Sequence, residues 1–319
     1  MNIAFLVCPE NPVPPINYGG AERVTDIMVR KLLEKGHSVD LYCGENSTCP
    51  ATNKFMFPHA MSQEKYMFDL FCSKYKEYTA AIDYTAFHLI GQNFPKLVIS
   101  LMGGDPFKKY PHDEVYNKVY KSREFATFNG NEKGLIFYDA IEYDTDSTVL
   151  GKGNGNYALY VGTIHPMKGV HIAAQVCKEI ELKLKVYGPI RDVTYWNSFK
   201  EDVEYCGLLG IENREQIFGM AKVFLHPVKC VDSDPMAPKE AMLRGTPVVA
   251  NKIGGITSTI EEGINGYFAE TIDEYKESIH KCLLLNRQEV RDNIIKKVCP
   301  DRCVDCLLQL INKVKQGDI

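Results

Sequence analysis

The sequence predicts an α/β protein made of two units, each built on a parallel sheet. Three observations carry this. Apolar runs of strand length alternate with segments of helical period along the whole chain. The alternation pauses once, at the small polar stretch GKGNGN (151–156), and then restarts. With 319 residues, 45% of them hydrophobic, the chain exceeds the roughly 100–200 residues of an ordinary domain, so two domains are expected.

Residues 2–7 read as a buried strand. Val24, Ile27, Met28 and Leu32 then recur at helical spacing, and Gly36 ends that helix from the C-cap side. A strand at 39–42 and a helix over 66–80 follow, and the apolar runs 80–83, 97–101 and 125–128 continue the strands. Parallel neighbours need a crossover connection, so the alternation implies βαβ units. Past the polar stretch, which reads as a linker, strands are expected at 157–161, 184–187, 204–206, 223–226 and 247–250. Helices at 171–179, 213–221 and 238–244 separate them, and two helices, near 272–284 and 287–318, close the chain. No internal repeat or low-complexity tract interrupts this order. A ligand is expected between the two units, outside the carboxyl ends of the strands.

Composition narrows the function. A net charge of −4 and a pI near 6.1 give no general attraction to nucleic acid or anionic membrane. Lys108, Lys109, Lys118, Lys121 and Arg123 form a local basic cluster, which reads as a solvated face. Eleven cysteines, an odd number and mostly single within apolar runs, fit free thiols in a reducing cytosol better than disulfides. Cys299, Cys303 and Cys306 have metal-like spacing, but a tetrahedral site needs a fourth ligand and none stands nearby. The first residues lack the charged start and long apolar run of a signal peptide, and no run reaches the roughly 18 residues of a spanning helix. A cytoplasmic protein is expected, with peripheral membrane attachment as the alternative.

Four loops after strands carry unusual residues. In PPINYGGAER (14–23), Gly19 and Gly20 stand where a strand hands over to a helix, and backbone N–H groups with the positive helix end suit an anion there. A plain tight turn is the competing reading. In YVGTIHPMKG (160–169), Lys168 precedes a helix start, where an ammonium is a natural partner for a diphosphate. In the third, 226–250, Asp232 and Glu240 lie eight apart. Carboxylates repel phosphate, so they suit ribose or sugar hydroxyls. The fourth, NKIGGIT (251–257) with EEGINGYF (261–268), reads as structural turns.

Taken together, these segments resemble GT-B-fold, retaining glycosyltransferases of glycosyltransferase family 4. YGGAERV resembles that family's first glycine-rich loop and GHSVDLY its second strand, while LYVGTIHPMKG resembles its lysine-glycine segment. DPMAPKEAMLRGTPVVANKIGG and EEGINGYF resemble the donor-domain segments around its paired acidic motif. The resemblance implies two Rossmann-like domains with parallel sheets facing across a cleft. Residues 1–150 would form the acceptor domain and 151–299 the nucleotide-sugar donor domain, with a helix at about 300–319 packing back on the first. It further implies transfer of a sugar, with retention, from a nucleoside-diphosphate sugar (UDP or GDP) to an acceptor hydroxyl. A saccharide, glycolipid or glycoprotein glycan is the default acceptor; the reaction needs neither cofactor nor metal. The resemblance places Gly20 at the donor diphosphate, with Gly19 in the turn, and Lys168 against the leaving diphosphate. Glu240 would bind the ribose, Asp232 the transferred sugar, Met236 and Ala237 the phosphate through backbone N–H groups, and Leu208 the nucleobase.

The sequence departs from that pattern at several positions. Thr163 stands where the family has an arginine, and Arg191 in YGPIRD is the candidate replacement cation. Asp234, followed by Pro235, rivals Asp232 for the first acidic position. Met102 occupies a histidine position of the sugar pocket, with Asp105 the candidate acceptor-side replacement. Three other outcomes compete with glycan transfer: the same chemistry on a hydroxylated base of a nucleic acid, a degenerate nucleotide-sugar-binding protein, and a nucleotide-sugar hydrolase or epimerase.

Overall fold

Strand β1 (Asn2–Val7) opens the first unit, and its five apolar residues, Ile3 to Val7, are all buried. The computed structural model describes residues 1–16, 19–103, 114–143, 150–210 and 212–318. These residues fall into two units: Met1–Glu142 with the segment from Cys299 onward, and Tyr143–Val298. In the first unit β1 is followed by α1 (Gly20–Glu34), β2 (Ser38–Gly44), β3 (Asn53–Phe57), α2 (Glu64–Lys74) and β4 (Ala80–Tyr84). Then come β5 (Val98–Met102), β6 (Lys118–Tyr120), α3 (Arg123–Phe128) and β7 (Leu135–Ile136). All seven strands pair in parallel in the order β3-β2-β1-β4-β5-β6-β7, with Phe5 in register with Leu41 and Ile82. The central strands are nearly continuous in buried residues because both faces of a parallel sheet are covered.

The second unit repeats this plan. It contains β8 (Tyr157–Val161), α4 (Val170–Glu179), β9 (Lys183–Tyr187), α5 (Val193–Asn197), β10 (Glu204–Tyr205) and α6 (Arg214–Met220). It continues with β11 (Val223–His226), α7 (Met236–Leu243), β12 (Val248–Ala250), β13 (Gly266–Phe268), α8 (Ile272–Cys282) and α9 (Arg287–Val298). Its parallel sheet has the order β10-β9-β8-β11-β12-β13. Leu225, Val249 and Tyr275 pack with α4 in its core. The last helix, α10 (Pro300–Gln316), belongs to the first unit and packs against α1 and β5. Its acidic residues meet α1, with Lys35 Nζ 2.9 Å from Asp305 and Lys31 Nζ 3.6 Å from Asp301.

Several expectations are corrected. The run 125–128 lies in helix α3, because the Ser122 hydroxyl accepts the Phe125 N–H at 3.2 Å and caps a helix there. The final helix over 287–318 is two, broken at Cys299–Pro300, since proline ends the preceding helix. Strands β3, β6, β7 and β13 went unforeseen; β3, β7 and β13 are sheet edges, where little burial is imposed on the sequence. The stretch 151–156 is no loose linker. Gly151, Gly153 and Gly155 donate backbone N–H groups to Arg244, Gly219 and Met220 of the second unit, and the units divide upstream of it, at 142/143. A Cβ on Gly151 would lie 2.2 Å from Gly219, so glycine is required for the approach. Among the described residues the basic cluster is not one solvated face either. Lys121 is fully buried in an ion pair with Asp139, its ammonium 4.3 Å from the Tyr84 ring centre. Arg123 donates to the carbonyls of Glu132 and Gly134, while Lys108 and Lys109 lie outside the described residues.

Candidate active site

In the second sheet the chain runs outward from β8 through β9 to β10, then returns to β11 and runs the other way. The carboxyl ends of β8 and β11 therefore flank a topological switch point, where open α/β sheets leave a crevice. The loop after β8 carries Lys168, and the loop after β11 carries Asp232.

Lys168 closes a short 3₁₀ turn, Pro166–Lys168, in which the Met167 N–H reaches the His165 ring nitrogen at 3.2 Å. Gly169 ends the turn in the left-handed conformation (φ 69°), and a Cβ there would lie 1.9 Å from the Pro227 carbonyl oxygen. Only glycine satisfies both demands, so the glycine that follows Lys168 is a geometric requirement of the loop. The Lys229 N–H donates to the Met167 carbonyl at 2.8 Å and ties the β8 loop to the β11 loop. Across that tie Lys168 Nζ lies 2.5 Å from Asp232 Oδ2.

Asp232 is held from behind by the glycine pair of NKIGGIT. The Gly255 N–H donates to the Asp232 carbonyl at 2.8 Å, and a Cβ on Gly255 would lie 2.2 Å from Ser233 O. These turns are structural, as expected, and their structural task is to seat the acidic loop. Burial alone would raise the Asp232 carboxyl, but the Lys168 ammonium, with His226 and the Ser233 N–H, holds it below the usual range. His226, the buried last residue of β11, is pushed down to about 4 by burial, partly offset by Asp232 and reinforced by Lys168. It is thus a neutral imidazole beside a charged pair. The sequence reading assigned it no role, although its place at the end of a strand beside the switch point was a usable signal.

Asp234 does not join this pair. It forms a buried ion pair with Lys239, at 2.5 Å, beneath the start of α7. Pro235 is the N-cap of α7 and Pro238 its third residue, and neither has an N–H. The N–H groups of Met236 and Ala237 are therefore the donors that the first turn directs outward. Glu240, one turn later, accepts from Arg214 of α6, which the sequence reading missed: Arg214 Nε lies 3.0 Å from Oε2, and a terminal guanidinium nitrogen reaches the same oxygen. Leu208 is half exposed on the loop after β10. It lines a cleft of about 370 Å³ together with Tyr157, Tyr187, Leu209, Asn213 and Gln216. Thr163 is buried, and its carbonyl accepts the Tyr160 hydroxyl at 2.9 Å. Arg191 is exposed, and its backbone N–H donates to Ile164 at 3.1 Å, which sets it beside the loop that lacks the arginine.

In the first unit Gly19 is the N-cap of α1, and Gly20 is its first residue. A Cβ on Gly19 would lie 2.5 Å from Glu22 Oε2 and 2.8 Å from Pro15, so Gly19 serves close packing. Glu22, in the first turn, is buried and accepts from Asn11 at 3.0 Å. Burial raises its carboxyl, against the hydrogen bond from Asn11. Met102 is corrected as a sugar-pocket residue. Its side chain is 2% exposed and packs with Val115, Tyr120 and Ala126, because the last position of β5 points into the core. Asp105 lies outside the described residues. Among the described residues no three His, Cys, Asp or Glu side chains cluster as metal ligands, and no helix is long and apolar enough to cross a membrane.

Comparison with known proteins places this geometry. Residues 143–298, the range of the second unit, match the family described as glycosyl transferases group 1. An uncharacterized glycosyltransferase of Methanocaldococcus jannaschii is 25% identical over 197 residues, covering 58% of this chain and 52% of that protein. A GDP-mannose-dependent alpha-mannosyltransferase of Corynebacterium glutamicum is 27% identical over 120 residues, 38% of this chain and 29% of that protein. The chain thus spans about half the length, or less, of the curated relatives it matches. Among solved structures, AviGT4, a glycosyltransferase involved in avilamycin A biosynthesis, superposes with a TM-score of 0.79 at 18% identity, covering 99% of this chain and 98% of its own. Anabaena HepE in complex with UDP and glucose gives a TM-score of 0.69 at 16% identity, covering 100% and 98%. The fold is GT-B.

Proposed function

We propose that the chain is a glycosyltransferase that moves a sugar from a nucleoside-diphosphate sugar to an acceptor hydroxyl, with retention at the anomeric carbon. The observation that carries the reading is the Lys168–Asp232 pair at the switch point of a domain matching glycosyl transferases group 1. The name of the mannosyltransferase relative and the nucleotide in the HepE structure support a nucleotide-sugar donor.

In this reading the donor diphosphate takes Lys168 from Asp232. Its negative charge grows as the glycosidic bond breaks, and a preplaced ammonium stabilises that charge most in the transition state. Asp232, released, accepts from a hydroxyl of the transferred sugar. Met236 and Ala237 donate backbone N–H groups to phosphate, and Arg191 supplies the charge missing at Thr163. Glu240 grips the ribose and Leu208 faces the base. These groups neutralise the leaving diphosphate without a metal. A saccharide hydroxyl, free or on lipid or protein, is the acceptor.

The test incubates the protein with UDP- and GDP-sugars and follows nucleoside-diphosphate release with and without a pool of glycan acceptors. Acceptor-dependent release supports transfer. Binding without release marks a binding protein, and release equal in both cases marks a hydrolase; either outcome overturns the reading.

A further inference from the structure

We propose that Arg214 is a positioning residue for the donor, fixing the ribose carboxylate and the base-facing loop in one frame. The inference rests on the donor reading above. Three contacts of one guanidinium carry it. Nε and one terminal nitrogen both donate to Glu240 Oε2, the first at 3.0 Å. The other terminal nitrogen points to the Leu209 carbonyl, at 3.5 Å. The group also lies over the Phe218 ring, 5.3 Å from its centre, so a buried aromatic sets its plane.

The planar fork matters. Arginine presents five donors in fixed directions, and here they reach helix α7 through Glu240, 26 residues on, and the neighbouring loop 206–210 through Leu209. That loop forms one wall of the cleft of about 370 Å³ that Leu208 lines. Both members of the pair are largely buried, with side chains 18% and 12% exposed for Arg214 and Glu240, so it is little screened by solvent. Without it, Glu240 would lose the guanidinium that fixes its carboxylate, and the loop would lose one contact with α6. Base and ribose would then be held by parts that move independently. A lysine cannot replace this arrangement, because one ammonium does not present two coplanar donors to a carboxylate while reaching a carbonyl.

The experiment titrates the full chain with UDP and GDP and with their 2′,3′-dideoxy analogues, for wild type, Arg214→Ala and Arg214→Lys. The wild type should prefer the ribonucleotide by about tenfold or more, the value of a well-placed hydrogen bond to a charged group. Arg214→Ala should weaken ribonucleotide binding by about tenfold while barely changing the dideoxy analogue, and Arg214→Lys should restore little of the preference. Combining Arg214→Ala with Glu240→Gln should add little to either change alone. A purely structural arginine would weaken both ligands equally and leave the preference intact; that result, or unchanged binding, overturns the assignment. If Arg214→Ala does not fold, Arg214→Lys alone decides it by the same preference. If the wild type binds no nucleoside diphosphate, the donor reading falls first and this inference with it.

Discussion

In the second unit, the strands that flank the switch point lead into Lys168 and Asp232, a cation and an anion that hold each other at 2.5 Å. In the first unit the equivalent strands, β1 and β4, lead to Cys8 and Asp83, with Glu64 of α2 beside them. There the carboxylates are spent on the backbone. Glu64 accepts the N–H groups of Ala86 and Phe87 at 2.8 and 2.9 Å, and Asp83 accepts those of Thr85 and Gly91 at 3.1 and 2.9 Å. Strand order is shared, so the sheet does not decide the chemistry. The loops decide it. Where acids cap turns, they shape the unit; where an acid meets a lysine across two loops, an incoming anion has a charge to compete for.

The sharpest way to break this contrast is Lys168→Ala. It should lower kcat by roughly 10²–10³-fold, with a much smaller change in donor KM, because the ammonium acts on charge that develops in the transition state. Equal losses in both would make Lys168 a binding residue only.

Next is Arg287→Ala. The Arg287 side chain donates to the carbonyls of Gly151, Ala221 and Gly219 and to the Thr246 hydroxyl, and so pins the glycine stretch to the second unit. Removing a largely buried cation from several acceptors should cost about 3 kcal/mol, read in urea unfolding. A loss under about 1 kcal/mol would return 151–156 to the status of a linker.

Adjacent glycines give a finer comparison. Gly19→Val should destabilise the fold by about 2 kcal/mol through overpacking against Glu22 and Pro15. Gly20→Val should leave the thermal midpoint nearly unchanged and cut donor turnover. Reversed outcomes would move the anion contact to Gly19.

The remaining effects are read against pH. His226 is depressed to about 4 from an ordinary 6.5. Between those values the unfolded chain binds the extra proton, so stability rises with pH across this window, is complete above about 6.5 and is lost as pH falls towards 4. Glu22 has the opposite sign: its carboxyl is raised above 4.5, so the native state keeps its proton longer and stability falls as pH climbs past that value. His226→Asn should flatten the rise and Glu22→Gln the fall, both read as unfolding free energy against pH. A profile unchanged by either variant would remove these groups as titrating contributors.

Much of this was legible in the sequence. Alternating apolar runs placed β1, β2, β4, β5, β8, β9 and β11, because central parallel strands bury both faces and are therefore rich in apolar residues. The loops with Gly19, Lys168, Asp232 and Glu240 stood out because turn glycines beside charged residues are unusual after a strand. The run 125–128 was misread because aromatic and β-branched residues look like strand until Ser122 caps them into a helix. Met102 was misread because motif position says nothing about which face of β5 its side chain takes.

By itself, the sequence determined the periodicities, and hence two parallel α/β units and the loops that follow their strands. These properties are local, set by side-chain burial and backbone preference within a few residues. Tertiary structure alone decided which acid meets Lys168, since Asp232 and Asp234 differ only in what packs behind them: the glycine pair 254–255 for one, Lys239 for the other. It alone tied Arg214 to Glu240 across 26 residues and drew the glycine stretch 151–156 into the second unit. Charge pairing and close backbone approach act through space, and spacing along the chain does not encode them.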